Sequence, residues 1–372
     1  MRHYDTNPEY NALVFLSHIQ SIGPATLHKL MCYCKSAQGI VNTPEDVLYQ
    51  KGLLSEKMLA EWRNVKNTYS YESLVDQLCR EGITLVAYND EVFPQSLAQL
   101  PQPPYVLYCR GDVSLLKHTL ALAVVGTRKI TRYGEMVLEH IIPELVRHNV
   151  VVVSGLALGV DGCAHMHTLK QGGKTVAVLG TGVDKASVYP RSHVHLAERM
   201  VQEGGLILSE YAPGTSARPY HFPIRNRIIA GLTLGTVVIE AQKRSGSLIT
   251  ALSALDQGRE VFAVPGSILN TQSEGCHMLL EKGAHVVHDA WSILEHLSVS
   301  YVIQSQESHK ECTMTKEEKN MLEIMRQPVS IDEICIRMQL SPARVSSTLS
   351  LLEIEGLIVR MQDGRICARH TK

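Results

Sequence analysis

Six short runs of β-branched and other apolar residues punctuate the middle of the chain: 119–125 (TLALAVV), 150–153 (VVVV), 174–179 (KTVAVL), 205–208 (GLIL), 236–239 (TVVI) and 261–264 (VFAV). They are nearly continuous rather than alternating, and amphipathic stretches of helical character lie between several of them. Strands that are apolar on both faces and alternate with helices form a parallel sheet covered on both sides. The expectation over 83–297 is therefore a Rossmann-like α/β domain.

The flanks read differently, as a chain of 372 residues allows. Within 1–82, Leu13, Phe15, Leu16, Ile19, Leu27 and Leu30 recur at mostly helical spacings, and Ile22-Gly23-Pro24 breaks two helices apart. Helix, Gly turn, helix resembles a SAM or helix-hairpin-helix module that grips a DNA backbone; a plain packing module fits the same residues. The Ser/Gln/Glu-rich stretch 298–313 reads as a linker. Over 314–372 three helices follow. The first covers about 316–326, the second opens at the capping box Ser330-x-x-Glu333, and the third has Ser341 as N-cap, Pro342 at its first position and a stop at Gly356. Leu357–Val359 and Ile366–Ala368 flank the turn Asp363-Gly364, a hairpin signal. Three helices and a hairpin predict a winged helix.

Composition narrows the classes. The chain is 45% hydrophobic and 20% charged, which excludes a disordered or collagen-like polymer. No apolar run approaches the roughly 20 residues of a membrane span, and the start, MRHYDTNPEY, lacks a signal-peptide core; a cytoplasmic protein is expected. Nine scattered cysteines without a Cys-x-x-Cys pair argue against a disulfide framework or structural zinc. With a net charge of −1, any anion site must be local.

In a doubly wound sheet, ligands bind beyond the carboxyl ends of the strands. The first such loop, Gly126-Thr127-Arg128-Lys129, joins a Gly for close approach to a hydroxyl and an Arg at a helix entrance, which suits a phosphate. The next, 154–161, precedes a helix where Asp161 and His165 lie one turn apart. That spacing could ligate metal or pair acid with base, but a first-turn carboxylate also simply complements the helix dipole. Gly172-Gly173-Lys174-Thr175 is no P-loop, because the leading Gly position is Thr168 and Lys174-Thr175 opens a strand. Gly180-Thr181-Gly182 lacks the third Gly of a dinucleotide fingerprint. No cofactor is expected.

The densest chemistry lies at 210–250. Over 213–247, Arg218, Arg225, Arg227, Lys243 and Arg244 face a single acid, Glu240, on a chain that is otherwise near neutrality. Phe222, one of four phenylalanines, sits among them beside His221. Cations for a backbone and a flat ring for a base are what single-stranded nucleic acid needs; a loop Phe plugging the core is the competing reading. Arg225 and Arg227 cannot share a helix face; the apolar side set by Ile228, Ile229 and Leu232 suggests Arg225 as the structural one, and the choice between the two stays open. Ser245-Gly246-Ser247, ahead of a helix starting near Leu248, offers amides and hydroxyls to a phosphate.

These segments together resemble the DNA-processing protein A (DprA/Smf) family: VVGTRKITRYG (124–134), SGLALGVDGCAH (154–165), KTVAVLGTGVDKASVYP (174–190), LSEYAPG (208–214), HFPIRNRIIAGL (221–232), EAQKRSGSLITA (240–251) and GREVFAVPGSI (258–268). The resemblance implies a protein without a catalytic centre that holds single-stranded DNA during natural transformation, protects it, and loads the RecA recombinase, as a homodimer. By motif, the DNA site would comprise Gly126, Thr127, Arg128, Phe222, Arg225, Asn226, Arg227, Ser245, Gly246 and Ser247, with Lys174 as an outlying member. Two positions depart from the family pattern: Leu158 stands where a basic residue is usual, and His193 where Asn is. The winged helix carries nine Lys/Arg against eight Asp/Glu over 313–372, so a protein partner or a weak DNA site suits it better than strong DNA binding.

Two other classes fit parts of the pattern. A Rossmann-type nucleotide or nucleoside-phosphate hydrolase would use the same pocket with Glu240 or Asp161 as its acid. A transcription regulator would read duplex DNA with the third winged helix, yet 341–355 holds only Arg344 as a cation.

Overall fold

The computed structural model describes residues 7–297, 316–325, 329–354, 358–360 and 365–368. The linker expected at 298–313, the stop at Gly356 and the turn Asp363-Gly364 lie outside the described residues.

Six helices open the chain: α1 (Pro8–Ser17), α2 (Pro24–Cys34), α3 (Ala37–Asn42), α4 (Glu45–Gln50), α5 (Glu56–Thr68) and α6 (Tyr71–Arg80). Their starts are written locally. Asn7, Ser36, Ser55 and Ser70 each accept a backbone N–H as N-caps, and Pro8 and Pro24 occupy first-turn positions where a missing N–H costs nothing. Leu13, Leu16, Leu30, Ile40 and Trp62 form the helical core, and Phe15 meets Trp62 edge-on at 5.1 Å. That core also takes in Ala87 and Tyr105, while Val14, Leu74 and Leu78 join the core beneath the sheet. The described residues up to 297 therefore make one compact unit.

The sheet has nine strands: β1 (Ile83–Ala87), β2 (Val106–Gly111), β3 (Ala121–Val125), β4 (Val151–Ser154), β5 (Thr175–Leu179), β6 (Leu206–Ser209), β7 (Gly235–Val238), β8 (Glu260–Ala263) and β9 (His285–Val286), in the order β1-β2-β6-β5-β4-β3-β7-β8-β9. All six runs expected as strands are present, and β3 to β9 pair in parallel. The sheet also extends where no parallel strand was expected: β1 pairs antiparallel with β2, and β2 antiparallel with β6.

The parallel strands β3 to β7 are buried along their length and covered on both faces, which explains why they are mostly apolar. Along β5, Val176 and Val178 enter one core while Ala177 and Leu179 enter the other. The helices that follow the strands supply these covers: α8 (Arg132–Arg147), α9 (Val160–Lys170), α10 (Val194–Gln202), α11 (His221–Gly231), α12 (Gly246–Asp256) and α13 (Glu274–Glu281), with a short α7 (Gln95–Ala98) before them and α14 (Trp291–His296) after. Ile228 and Ile229 of α11 and Ala251 and Ala254 of α12 lie in one core; Leu169 of α9 and Leu196, Ala197 and Met200 of α10 lie in the other. Each fully buried Leu or Ile contributes about 1.5–3 kcal/mol over exposure.

Strand order fixes the ligand edge. The chain leaves β3 towards β4 on one side, while β7 docks on its other side. The crevice between their outgoing loops is the topological switch point of the sheet.

The second unit is a winged helix of α15 (Lys316–Ile324), α16 (Ile331–Met338) and α17 (Pro342–Ile354), with β10 (Ile358–Arg360) antiparallel to β11 (Ile366–Ala368). The capping box is formed: Ser330 Oγ accepts from Glu333 N, and the Glu333 carboxylate accepts from Ser330 N. Met321, Ile334, Val345, Leu349, Leu352, Ile358 and Ile366 make its core.

Candidate nucleic-acid interface

An open pocket of about 560 Å³ occupies the switch point, bounded by Gly126 and Arg128 after β3, Asp161 at the start of α9, Tyr189 after β5, Arg218 before α11, Phe222, Arg225 and Asn226 on α11, and Ser245, Gly246 and Ser247 at the start of α12. Loops distant in sequence meet here because parallel strands deliver all their carboxyl ends to one edge.

The β3 loop is held from below. Thr127 N donates to Glu240 O at 2.7 Å and Val160 N to Thr127 O at 3.1 Å. A Cβ on Gly126 would lie 2.5 Å from Val160 Cγ2, so only Gly permits this packing. Thr127 is itself buried, and its Oγ1 accepts from Lys129 N at 3.2 Å. Arg128 is thereby left exposed on a fixed turn, with its guanidinium carbon 5.7 Å from the centre of the Phe222 ring.

Phe222 is half-buried at the start of α11, and its ring lies 5.8 Å from that of Tyr189 at a 43° tilt. A Cβ on Gly180 would come within 3.0 Å of the ring edge. The ring thus leans on the β5 loop and lines the pocket instead of filling the core.

Arg225 is buried to 5% exposure beneath the pocket. Its guanidinium donates to Gly155 O at 3.0 Å and to Val178 O, and its Nε donates to Asn226 Oδ1 at 3.2 Å. A Cβ on Gly155 would sit 2.5 Å from Nη2. Burial pulls the Arg225 pKa down, to about 10, against the opposing charge of Asp161, so the group stays cationic at neutral pH. Asn226 in turn donates to Gly246 O at 3.3 Å, tying α11 to the first turn of α12. There Ser245 caps the helix: its Oγ accepts from Ser247 N and lies 2.7 Å from Ser247 Oγ. The helix starts at Gly246, two residues before the expected Leu248, so the Ser-Gly-Ser turn is the helix N-terminus itself, where amide hydrogens and the dipole favour an anion.

Two candidate residues are not brought to the pocket. Arg227 points away and pairs with Glu210 at 2.7 Å, both side chains largely buried. Lys174 precedes β5 at the opposite edge of the sheet, where its Nζ donates to Glu203 O at 2.9 Å. Periodicity suggests Arg225 as the structural arginine; in the fold both are engaged, Arg225 with buried carbonyls and Arg227 with Glu210. Sequence reading passes over Tyr189, which is 44% exposed; its signal was an aromatic in a segment following a strand.

The two carboxylates weighed as an enzyme's acid, Glu240 and Asp161, accept hydrogen bonds from the protein itself. Glu240, buried, accepts from Thr131 N at 2.8 Å and Thr131 Oγ1 at 2.6 Å, fixing the N-cap of α8. Asp161 accepts from Gly155 N at 3.1 Å. Burial pushes its carboxyl above the ordinary range, opposed by the Arg225 charge and its hydrogen bonds. His165 places Nδ1 2.7 Å from Thr175 Oγ1, and burial drives its pKa down to about 3. At the two departures from the family pattern, Leu158 is exposed, and His193 Nδ1 lies 2.9 Å from Leu156 O.

Fold and site together define a doubly wound α/β protein with an appended winged helix, whose switch-point pocket pairs an exposed arginine with an aromatic ring. The family model described as DNA recombination-mediator protein A matches residues 84–298, and the DprA winged helix domain matches 314–364. The DNA processing protein DprA of Bacillus subtilis is 41% identical over 217 residues, covering 58% of this chain and 72% of that one. That of Streptococcus pneumoniae is 45% identical over 205 residues, 55% and 71% of the two chains. The X-ray structure of the S. pneumoniae protein aligns with a TM-score of 0.64 at 34% identity, over 78% of this chain and 97% of that one. A Helicobacter pylori DNA processing protein A, whose structure is described for its single-stranded DNA binding mode, aligns at 0.52 and 29% identity, over 59% and 96%. The chain belongs to the DNA recombination-mediator protein A (DprA/Smf) family.

Proposed function

We propose that the protein binds single-stranded DNA at the switch-point pocket and acts in DNA processing during natural transformation, protecting the incoming strand and loading the RecA recombinase onto it. The observation that carries this reading is the Arg128–Phe222 pair beside the α12 N-terminus. One cation and one helix end suit phosphates, and the ring suits a base of any identity. The DNA contacts in this reading are Gly126, Arg128, Phe222, Asn226 and the Ser245-Gly246-Ser247 turn, with Thr127 and Arg225 as the buried supports that hold them. Exposed Lys129, Lys243 and Arg244 add charge along the same edge.

The reading includes a homodimer acting in the cytoplasm, with the winged helix over 314–372 serving a protein partner or a weak DNA site. It assigns no catalytic centre. The hydrolase alternative needs a carboxylate aimed at a bound sugar, and Glu240 and Asp161 are both engaged in internal hydrogen bonds.

A fluorescence titration with single- and double-stranded oligonucleotides at several salt concentrations, beside a nucleotide-turnover assay, tests the reading. Single strands should bind more tightly, and less so as salt rises. Equal affinity for duplex, indifference to salt, or turnover of a nucleotide would overturn it.

A further inference from the structure

A second pocket, of about 420 Å³, opens at the other end of the strands. Ala121, Val151, Val153 and Val176 form its sheet wall, with Phe93 and Leu232 among the residues across from them. Its size falls within the roughly 300–1,000 Å³ of small-molecule sites.

Arg259 also lines this apolar pocket. It is half-buried; its Nη2 donates to Gly231 O at 3.0 Å and its Nη1 to Thr233 O, at the end of α11. Its Nε is buried without a partner, as is Nδ1 of His118, another lining residue. Among the described residues no carboxylate pairs with Arg259. The nearby ammonium of Lys117 is already matched by Glu91 at 3.0 Å. Burial alone lowers the Arg259 pKa, with no anion offsetting it. A guanidinium partly withdrawn from water and left without a counter-charge is costly, and a bound anion would recover that cost.

We propose that this pocket is a binding site for a small amphiphilic anion, a compact apolar body bearing one carboxylate, with the apolar part on the Val/Ala wall and the charge towards Arg259 and His118. The site is separate from the DNA pocket and does not depend on that function.

Calorimetry on the full chain tests it with three probes: octanoate, 1-octanol, which keeps the chain without the charge, and acetate, which keeps the charge without the chain. Octanoate should bind saturably and raise the melting temperature. Octanol should bind roughly ten- to a hundred-fold more weakly, as loss of a charge-assisted bond implies, and acetate should not bind. Thr119 is an exposed lining residue, so Thr119→Trp should block the mouth and abolish octanoate binding with the fold intact. Arg259→Met should weaken octanoate to the level of octanol. If that variant fails to fold, because Arg259 also holds the end of α11, the octanol comparison and Thr119→Trp decide the matter. Octanol binding as tightly as octanoate, octanoate binding undiminished in Thr119→Trp, or no saturable heat at about 1 mM probe would each overturn the proposal.

Discussion

The Arg128 guanidinium stands 5.7 Å from the centre of the Phe222 ring, so the exposed arginine of the β3 loop and the phenylalanine of the basic segment face the same space. Such a contact is worth about 0.5–1 kcal/mol at an exposed site. It leaves both groups available to a ligand while limiting the rotamers each must give up on binding.

Arg128→Ala should weaken binding of a single-stranded oligonucleotide by about 1.5–3 kcal/mol, the cost of losing a charged hydrogen bond. The slope of log affinity against log salt should flatten by about 0.7. Because Arg128 is exposed, the melting temperature should hold. A large thermal loss with normal affinity would show that the residue is structural.

Phe222→Ala should cost roughly 1–3 kcal/mol of binding if the ring stacks on a base, with Tyr or Trp retaining most of the affinity. A core plug would instead lose about 3–5 kcal/mol of folding stability. The half-buried ring beside Tyr189 favours the first outcome. Oligo-dT titrations and melting curves on the same variants separate the two.

Arg225→Gln should act through the fold. It removes the cation that faces Asp161 and the bonds to Gly155 O and Val178 O. Leaving the buried Asp161 carboxyl without its opposing charge, and two buried carbonyls without their donor, should cost about 3–5 kcal/mol, so denaturant unfolding should shift before any change in salt dependence is seen. Gly155→Ala should also destabilise, since its Cβ would lie 2.5 Å from Nη2, by about 1–3 kcal/mol of overpacking. A Gly155→Ala protein as stable as its parent would mean the guanidinium has room to move.

Acid should destabilise the protein through His165, whose pKa falls to about 3 on burial, against about 6.5 in an unfolded chain. Between those values the unfolded state holds the extra proton. Stability from this group is therefore complete above about pH 6.5 and is lost as pH falls towards 3. Asp161 and Glu210, whose carboxyls are raised by burial, act in the opposite direction, so the parent must be compared with His165→Phe. Melting temperatures between pH 7 and 5 should fall less steeply in the variant; parallel curves would contradict the assignment.

The elements themselves were written in the sequence. Apolar runs announced six of the seven parallel strands, β3 to β8, because a strand buried on both faces has few polar positions to show. Ser330 with Glu333 and Pro342 marked helix starts, because a cap is satisfied by residues a few positions away. The β3 and α12 loops stood out for the same local reason, a Gly or Ser next to a helix entrance.

What the tertiary structure alone decided was where separate segments meet. The antiparallel pairing of β2 with β6 joins strands far apart in the chain, and a short apolar run does not state its direction. Arg227 read as a DNA cation until Glu210 took its charge, and Lys174 until strand direction set it at the far edge of the sheet. Tyr189 entered the pocket only because β5 delivers its loop beside α11. Local pattern records which face of an element is buried and where it begins, since those depend on near neighbours. Strand order and the partner of each long charged side chain depend on long-range packing, and they are settled only when the sheet closes.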